Sequence, residues 1–333
     1  MDPGEEPSLT DTTDRAFTGG AYGIGNENWF SGATSLFRRR YARDPAGADV
    51  AVMGIPFDQA VTNRPGCRFG PRAIRAASSQ LAWPGGPWRW SGDPFAALDV
   101  VDTGDLTFDI GDLAAFPATL EARAAEIIAT GAKLFCLGGD HFTTYPVLKA
   151  HAARHGPLGI VQFDSHSDTW RDNGTRIDHG TMFFQGVEEG VIDPARSVHV
   201  GIRSANDETH GVTIIDADAV ADHPPSAIAA RIREIAGEGP SYLTFDIDVL
   251  DPAFAPGTGT PVCGGMSTNT AERILVALAG VPFVGMDIVE VAPAYDVSEV
   301  TALAAATMAI NMMGLFAVMK GVPDFGTRAT GTL

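Results

Sequence analysis

Basic residues are scarce in this chain: 23 lysines and arginines stand against 41 aspartates and glutamates, a formal net charge of −18 over 333 residues. A surface of that sign excludes nucleic acid as a partner and steers small cations inward. Cysteine is nearly absent too. Cys67, Cys136 and Cys263 are odd in number and unrelated in spacing, and Cys136 falls inside an apolar run. That excludes a disulfide framework and a thiolate metal site, and it suits a reducing cytoplasm. The N-terminus starts acidic and polar, without the basic start or unbroken apolar stretch of a signal peptide or membrane span, so no membrane association is expected. There is no internal repeat and no low-complexity stretch. No Gly-rich loop ends in Lys-Ser or Lys-Thr, no Gly-x-Ser-x-Gly occurs, and Gly257-Thr258-Gly259-Thr260 opens no helix. Phosphate cradling and serine hydrolysis are thereby set aside.

What is present is a 45% apolar chain, ample for one large core. Residues 1–44 read as an N-terminal arm, with a glycine-rich stretch around Gly19-Gly20 and the basic Arg38-Arg39-Arg40. Such an arm either packs on a neighbouring subunit or stays solvated. Residues 45–333 read as a single domain. Strands are expected at Val50–Ile55, Leu98–Val101, Lys133–Leu137, Leu158–Phe163, Val198–Ile202, Val212–Ile215, Tyr242–Phe245 and Phe283–Ile288. Helical patterns fall between them at Ala118–Ala129, Tyr145–Arg154, Ala227–Ile235, Thr270–Ala279 and Glu299–Val318. The alternation predicts a three-layer α/β fold, a mainly parallel sheet with helices on both faces.

Three of these strands end in hard ligands. Asp164-Ser165-His166-Ser167-Asp168 puts alternate side chains Asp164, His166 and Asp168 on one face, as Asp246-Ile247-Asp248 does for its aspartates. Gly138-Gly139-Asp140-His141 brings His141 to the same edge, where a parallel sheet receives ligands. So many carboxylates at buried strand ends would be costly unless cations neutralised them. Six oxygen-rich ligands suit manganese better than zinc or copper, and four aspartates exceed what one ion needs. Two metals sharing carboxylates are expected, an arrangement that makes a hydroxide nucleophile at neutral pH. Asp140 and Asp251 instead fit capping or turn roles.

The same motifs, with Asp178-His179-Gly180-Thr181-Met182-Phe183 and the run from Gly285 to Pro293, resemble the ureohydrolases: arginase, agmatinase and their relatives. The resemblance runs from about Asp49 to Met313, is closest to the bacterial agmatinase branch, and implies an arginase-like fold. It implies one Mn on His141, Asp164, Asp168 and Asp246, and a second on Asp164, His166, Asp246 and Asp248, with Asp164 and Asp246 bridging. Nickel is the alternative ion. It further implies that Glu290 holds a guanidinium and that His179 passes a proton to the leaving amine. A catalytic share is expected for Asp168, and substrate contacts for Thr260 and Asp178. The chain departs from the family at Ser165, where relatives usually carry Ala, a small change expected to leave ligation intact. Val249 and Val297 stand where relatives often carry Cys and His or Gln. Trp170, Arg171, Asp172 and Arg176 individualise the loop before His179.

The expectation is a hydrolase of a small cationic guanidino compound, agmatine to putrescine with release of urea. Guanidinobutyrate, guanidinopropionate, guanidine or a biguanide such as metformin are the competing substrates. Other readings are a silent metal-binding subunit of a mixed oligomer and a one-metal deacetylase of similar architecture. The resemblance implies a cytoplasmic homo-oligomer, a trimer or hexamer.

Overall fold

The computed structural model describes residues 30, 32–82, 86–171 and 177–328. Among these, nine strands make one sheet: β1 (Arg40–Tyr41), β2 (Val50–Gly54), β3 (Val100–Asp105), β4 (Lys133–Leu137), β5 (Gly159–Phe163), β6 (Val198–Ile202), β7 (Thr213–Asp216), β8 (Ser241–Asp246) and β9 (Phe283–Val289). The order is β1-β3-β2-β4-β9-β8-β5-β6-β7, and all neighbours run parallel. The helices are α1 (Gly70–Ser78), α2 (Pro94–Ala97), α3 (Phe116–Ala129), α4 (Thr144–His155), α5 (Met182–Glu188), α6 (Ala217–Asp222), α7 (Pro225–Ala236), α8 (Thr268–Ala277) and α9 (Val300–Lys320).

Alternate residues of a strand face opposite sides of its sheet. On β2, Val50 and Val52 enter one apolar cluster while Ala51 and Met53 enter the other. Side chains of α1, α2 and α6 to α9 close the first cluster, and those of α3, α4 and α5 the second. The expected three layers are therefore present. By length and composition α9 would cross a bilayer, yet it is a core helix packed on α1, α2 and α8. Its Asn311 accepts a hydrogen bond from Trp90 Nε1 and donates one to Glu272 Oε1, each at 3.0 Å, so the polar group is satisfied inside the core.

Strand bounds follow the apolar runs, and β4 and β6 span the expected residues. β3 differs, starting at Val100 and continuing through Asp102-Thr103-Gly104-Asp105. The strand carries on through this polar stretch, where Arg75 grips the buried Asp102 through Nε at 2.8 Å and Nη2 at 2.9 Å. α1 was not among the expected helices; its Pro71 lies in the first turn, where proline favours a helix. Within the segment expected as an arm, Leu36 and Phe37 are buried in the first cluster, and β1 pairs with β3. The glycine-rich part of the arm lies outside the described residues, as do Asp172 and Arg176.

Candidate active site

The four central strands β4, β9, β8 and β5 are consecutive in the sheet and deliver every ligand candidate to one edge. His141 opens a 3₁₀ turn (His141–Thr143) after β4, and Asp164, His166 and Asp168 follow β5. Asp246 ends β8, Asp248 lies in the turn Ile247–Val249, and Glu290 follows β9. Local sequence explains the approach of His141: a Cβ on Gly139 would sit 1.7 Å from the Phe57 carbonyl oxygen, so only glycine lets this loop pass. Asp168 and Glu290 hold φ of +52° and +64°. Left-handed backbone at residues other than glycine costs about 1–3 kcal/mol and marks positions held for a purpose.

His141 Nδ1 lies 3.0 Å from Asp164 Oδ2, 2.9 Å from Asp168 Oδ2 and 3.4 Å from Asp246 Oδ2. His166 Nδ1 lies 3.0 Å from Asp248 Oδ2 and 3.5 Å from Asp164 Oδ1. Two three-donor groups result, His141/Asp164/Asp246 and Asp164/His166/Asp248, each with ligand atoms within 4.8 Å of one another. Asp164 is common to both. Asp246 falls in the first group only, and its Oδ1 accepts the Asp248 amide at 2.8 Å.

A row of polar residues one pleat below supports these ligands. Gln162, Thr244 and Asp287 are direct partners across β5, β8 and β9. Gln162 Nε2 donates to Asp164 Oδ2 at 2.6 Å and to the His166 carbonyl at 3.1 Å. Thr244 Oγ1 sits 2.9 Å from His141 Nε2 and is itself bonded to Asp287, which also accepts from Thr144 Oγ1 at 2.8 Å and Tyr242 OH at 2.9 Å. With Nε2 so engaged, Nδ1 of His141 faces three carboxylates without a hydrogen bond of its own. Outer partners of this kind fix a ligating imidazole.

Burial raises Asp246 well above the usual carboxylate range, and the charges of Asp248 and Asp164 add to it. Asp168 is pushed up to about 6 by burial and the Asp164 charge. Asp164 goes the other way: its burial opposes the charge, but the imidazoles of His141 and His166 beside it outweigh that. Burial works against a charged His166, yet Asp164 and Asp248 lift it to about 12. A buried, oxygen-rich set with an orphaned imidazole nitrogen fits a pair of divalent ions.

Above the ligands opens a cavity of about 410 Å³, walled by Thr62, His166, Asp168, Trp170, Arg171, Asp178, His179, Gly180, Thr181, Asp246 and Thr260. Thr260 and Asp178, expected at the substrate, both line it. Thr260 Oγ1 is 3.4 Å from Asp248 Oδ2, and Asp178 Oδ1 accepts the Gly180 amide at 2.8 Å. His179 lines it too, with Nδ1 2.9 Å from Glu290 Oε1 and Nε2 2.9 Å from Thr62 Oγ1. Burial lowers His179, but the Glu290 carboxylate more than offsets this and lifts it to about 9. Glu290 is wholly buried: Oε1 also accepts the His141 amide at 2.9 Å, and Oε2 has no hydrogen-bond partner among the described residues. Trp170 stands over His166, ring centroids 6.5 Å apart, with its amide donating to the Gly180 carbonyl at 3.1 Å.

Several residues carry more than the sequence indicates. Ser165 donates from Oγ to Asp248 Oδ1 at 2.8 Å and lies 3.0 Å from His166 Nδ1, so it touches two candidate ligands. Thr62, Gln162, Thr244 and Asp287 were not singled out. An uncompensated charge in the middle of the apolar β9 was the available signal for Asp287. Asp140 holds the N-cap position of the turn at His141 but makes no capping bond with its side chain, which accepts the Ala60 amide at 2.8 Å instead. Asp251 makes the expected turn by accepting the Ala253 amide. Val249 is buried and Val297 exposed.

A model of the arginase family matches residues 48–314. The chain belongs to the arginase family and is a ureohydrolase. An agmatinase of Chromobacterium violaceum is 50% identical over 298 residues, covering 89% of this chain and 92% of that one. An agmatinase of Cronobacter sakazakii is 49% identical over 274 residues, 82% and 89% of the two chains. Among solved structures, a hypothetical agmatinase from Burkholderia thailandensis superposes with a TM-score of 0.89 at 48% identity, covering 93% of this chain and 98% of that one. Proclavaminate amidino hydrolase from Streptomyces clavuligerus gives 0.82 at 35% identity, covering 88% and 99%.

Proposed function

We propose that this enzyme hydrolyses agmatine to putrescine and urea, using two divalent ions, manganese with nickel as the alternative, per chain. The observation that carries the reading is the pair of donor groups sharing Asp164 beneath a cavity that holds both His179 and the carboxylate Asp178. The agmatinase names of relatives near half identity support the substrate. His141, Asp164, Asp168 and Asp246 would hold one ion, and Asp164, His166, Asp246 and Asp248 the other. When bound, such a pair supplies Lewis acidity and a water acidic enough to attack the guanidinium carbon near neutral pH.

The chain's own residues do the rest. A carbon–oxygen bond forms as the carbon–nitrogen bond to the alkyl chain breaks, and the departing nitrogen must gain a proton. His179, poised at the cavity wall, delivers it. Thr62 holds the ring at Nε2, its amide donating there at 3.2 Å and its hydroxyl lying 2.9 Å away. Glu290 keeps Oε1 on His179 and leaves Oε2 for the guanidinium. Asp178 gives the ammonium tail an opposite charge. Among the described lining residues a carboxylate tail could turn to Arg171, whose Nε is engaged by Glu208 at 2.9 Å. Trp170 favours a shorter apolar guanidine or a biguanide, which is the second reading.

A urea-release panel over agmatine, guanidinobutyrate, guanidinopropionate, guanidine and metformin tests the substrate. Agmatine should have the highest kcat/KM. A value for agmatine about tenfold below another compound, some 1.4 kcal/mol of transition-state binding, overturns the choice. The acidic chain with free cysteines suits a cytoplasmic enzyme, and light scattering checks the expected homo-oligomer.

A further inference from the structure

Away from the candidate active site, three arginines of this acidic chain meet at one cavity. Arg89, Arg273 and Arg328 line a cavity of about 230 Å³ between α7, α8 and the C-terminal segment, together with Ser226 and Thr327. We propose that this cavity binds a small oxyanion, a phosphate or carboxylate group.

Arg89 is 5% exposed, and its guanidinium is fixed in place. Nε lies 3.3 Å from Glu272 Oε2, and the group stacks 4.2 Å over the Trp88 ring. Nη2 is buried without a hydrogen-bond partner among the described residues. Arg328 is tied beside it, its amide donating to the Arg89 carbonyl at 2.8 Å. Neither the Arg273 nor the Arg328 side chain has a polar partner among the described residues. Glu272, already sharing Oε1 with Asn311, pairs with Arg89 alone, so among the described residues the other two guanidiniums of the cavity face no carboxylate.

In a chain of net charge −18, such a gathering does not follow from average surface composition. The Arg89 guanidinium, held by Glu272 and Trp88 with Nη2 unpartnered, offers a fixed donor of the forked kind that phosphate and carboxylate accept, and Arg273 and Arg328 add charge around it. The hydroxyls of Ser226 and Thr327 add donors, and Ser226 lies in the first turn of the twelve-residue α7, where backbone dipoles favour an anion. Agmatine and putrescine, being cationic, would be repelled and urea is uncharged, so, resting on the agmatine reading, the occupant is not a reactant of the hydrolysis.

Inorganic phosphate is titrated calorimetrically into the metal-loaded full-length protein, with succinate in a parallel arm. Saturable binding of one anion per chain is expected in at least one arm, and the arm that saturates tells phosphate from carboxylate recognition. The double variant Arg273→Gln/Arg328→Gln changes exposed side chains only and should weaken that binding by about tenfold or more, with the metal-dependent urea release unchanged. No saturable binding of either anion, or equal affinity in the variant, overturns the site.

Discussion

Asp164 supplies both donor groups and His141 only one, a difference with a measurable consequence. An ion that binds the folded state alone stabilises it by RT ln(1 + [L]/Kd), about 2.7 kcal/mol per site at a hundredfold excess over Kd. Two sites then give roughly 5 kcal/mol to the wild type. His141→Asn, which leaves Asp164, His166 and Asp248 in place, should retain about half of that. Asp164→Asn should retain close to none, because each group falls to two donors. Asparagine keeps the shape, so its Oδ1 still accepts the His166 amide that reaches Asp164 at 2.6 Å, and the metal-free fold survives. Chemical unfolding with and without Mn²⁺, beside elemental analysis, separates the cases. If Asp164→Asn kept as much metal-dependent stability as His141→Asn, the sharing of Asp164 would be refuted.

His179→Asn should slow turnover by roughly a hundredfold with both ions still bound, and unchanged turnover across the pH range would remove it from proton transfer. Ser165→Ala takes a hydroxyl from Asp248 and should weaken the second ion by about tenfold in a metal titration. Unchanged affinity would mean that the Ser165 amide, 3.0 Å from Asp248 Oδ1, suffices. His151 is buried without a hydrogen bond to either ring nitrogen, and burial, with His155 and Lys133 nearby, lowers it to about 3. The unfolded chain, at about 6.5, therefore binds more protons between pH 3 and 6.5, so this contribution to stability is present above pH 6.5 and is lost as pH falls. Between pH 7 and pH 5 the wild type should lose roughly 2 kcal/mol that His151→Leu does not, and parallel unfolding curves at the two pH values would contradict this.

The ligand strands were legible because each is a short apolar run that stops at glycine or aspartate, and parallel strands place such stops at one edge. Sheet order was not legible. That β4, β9, β8 and β5 lie side by side depends on pairings between residues far apart in sequence, which no local pattern encodes. Single polar residues inside apolar runs were equally opaque: Gln162, Thr244 and Asp287 acquire meaning only when cross-strand register aligns them under the ligands. Thr62 belongs to an irregular loop and meets His179 only in the folded chain. Ser165 shows the limit of reading by size, since its hydroxyl, not its volume, engages Asp248.

The most direct measurement is urea release from agmatine as metal-free protein is titrated with Mn²⁺. Activity should rise until two equivalents per chain are bound and then stop. Saturation at one equivalent, or no urea at two, would contradict a two-ion guanidine hydrolase built on Asp164.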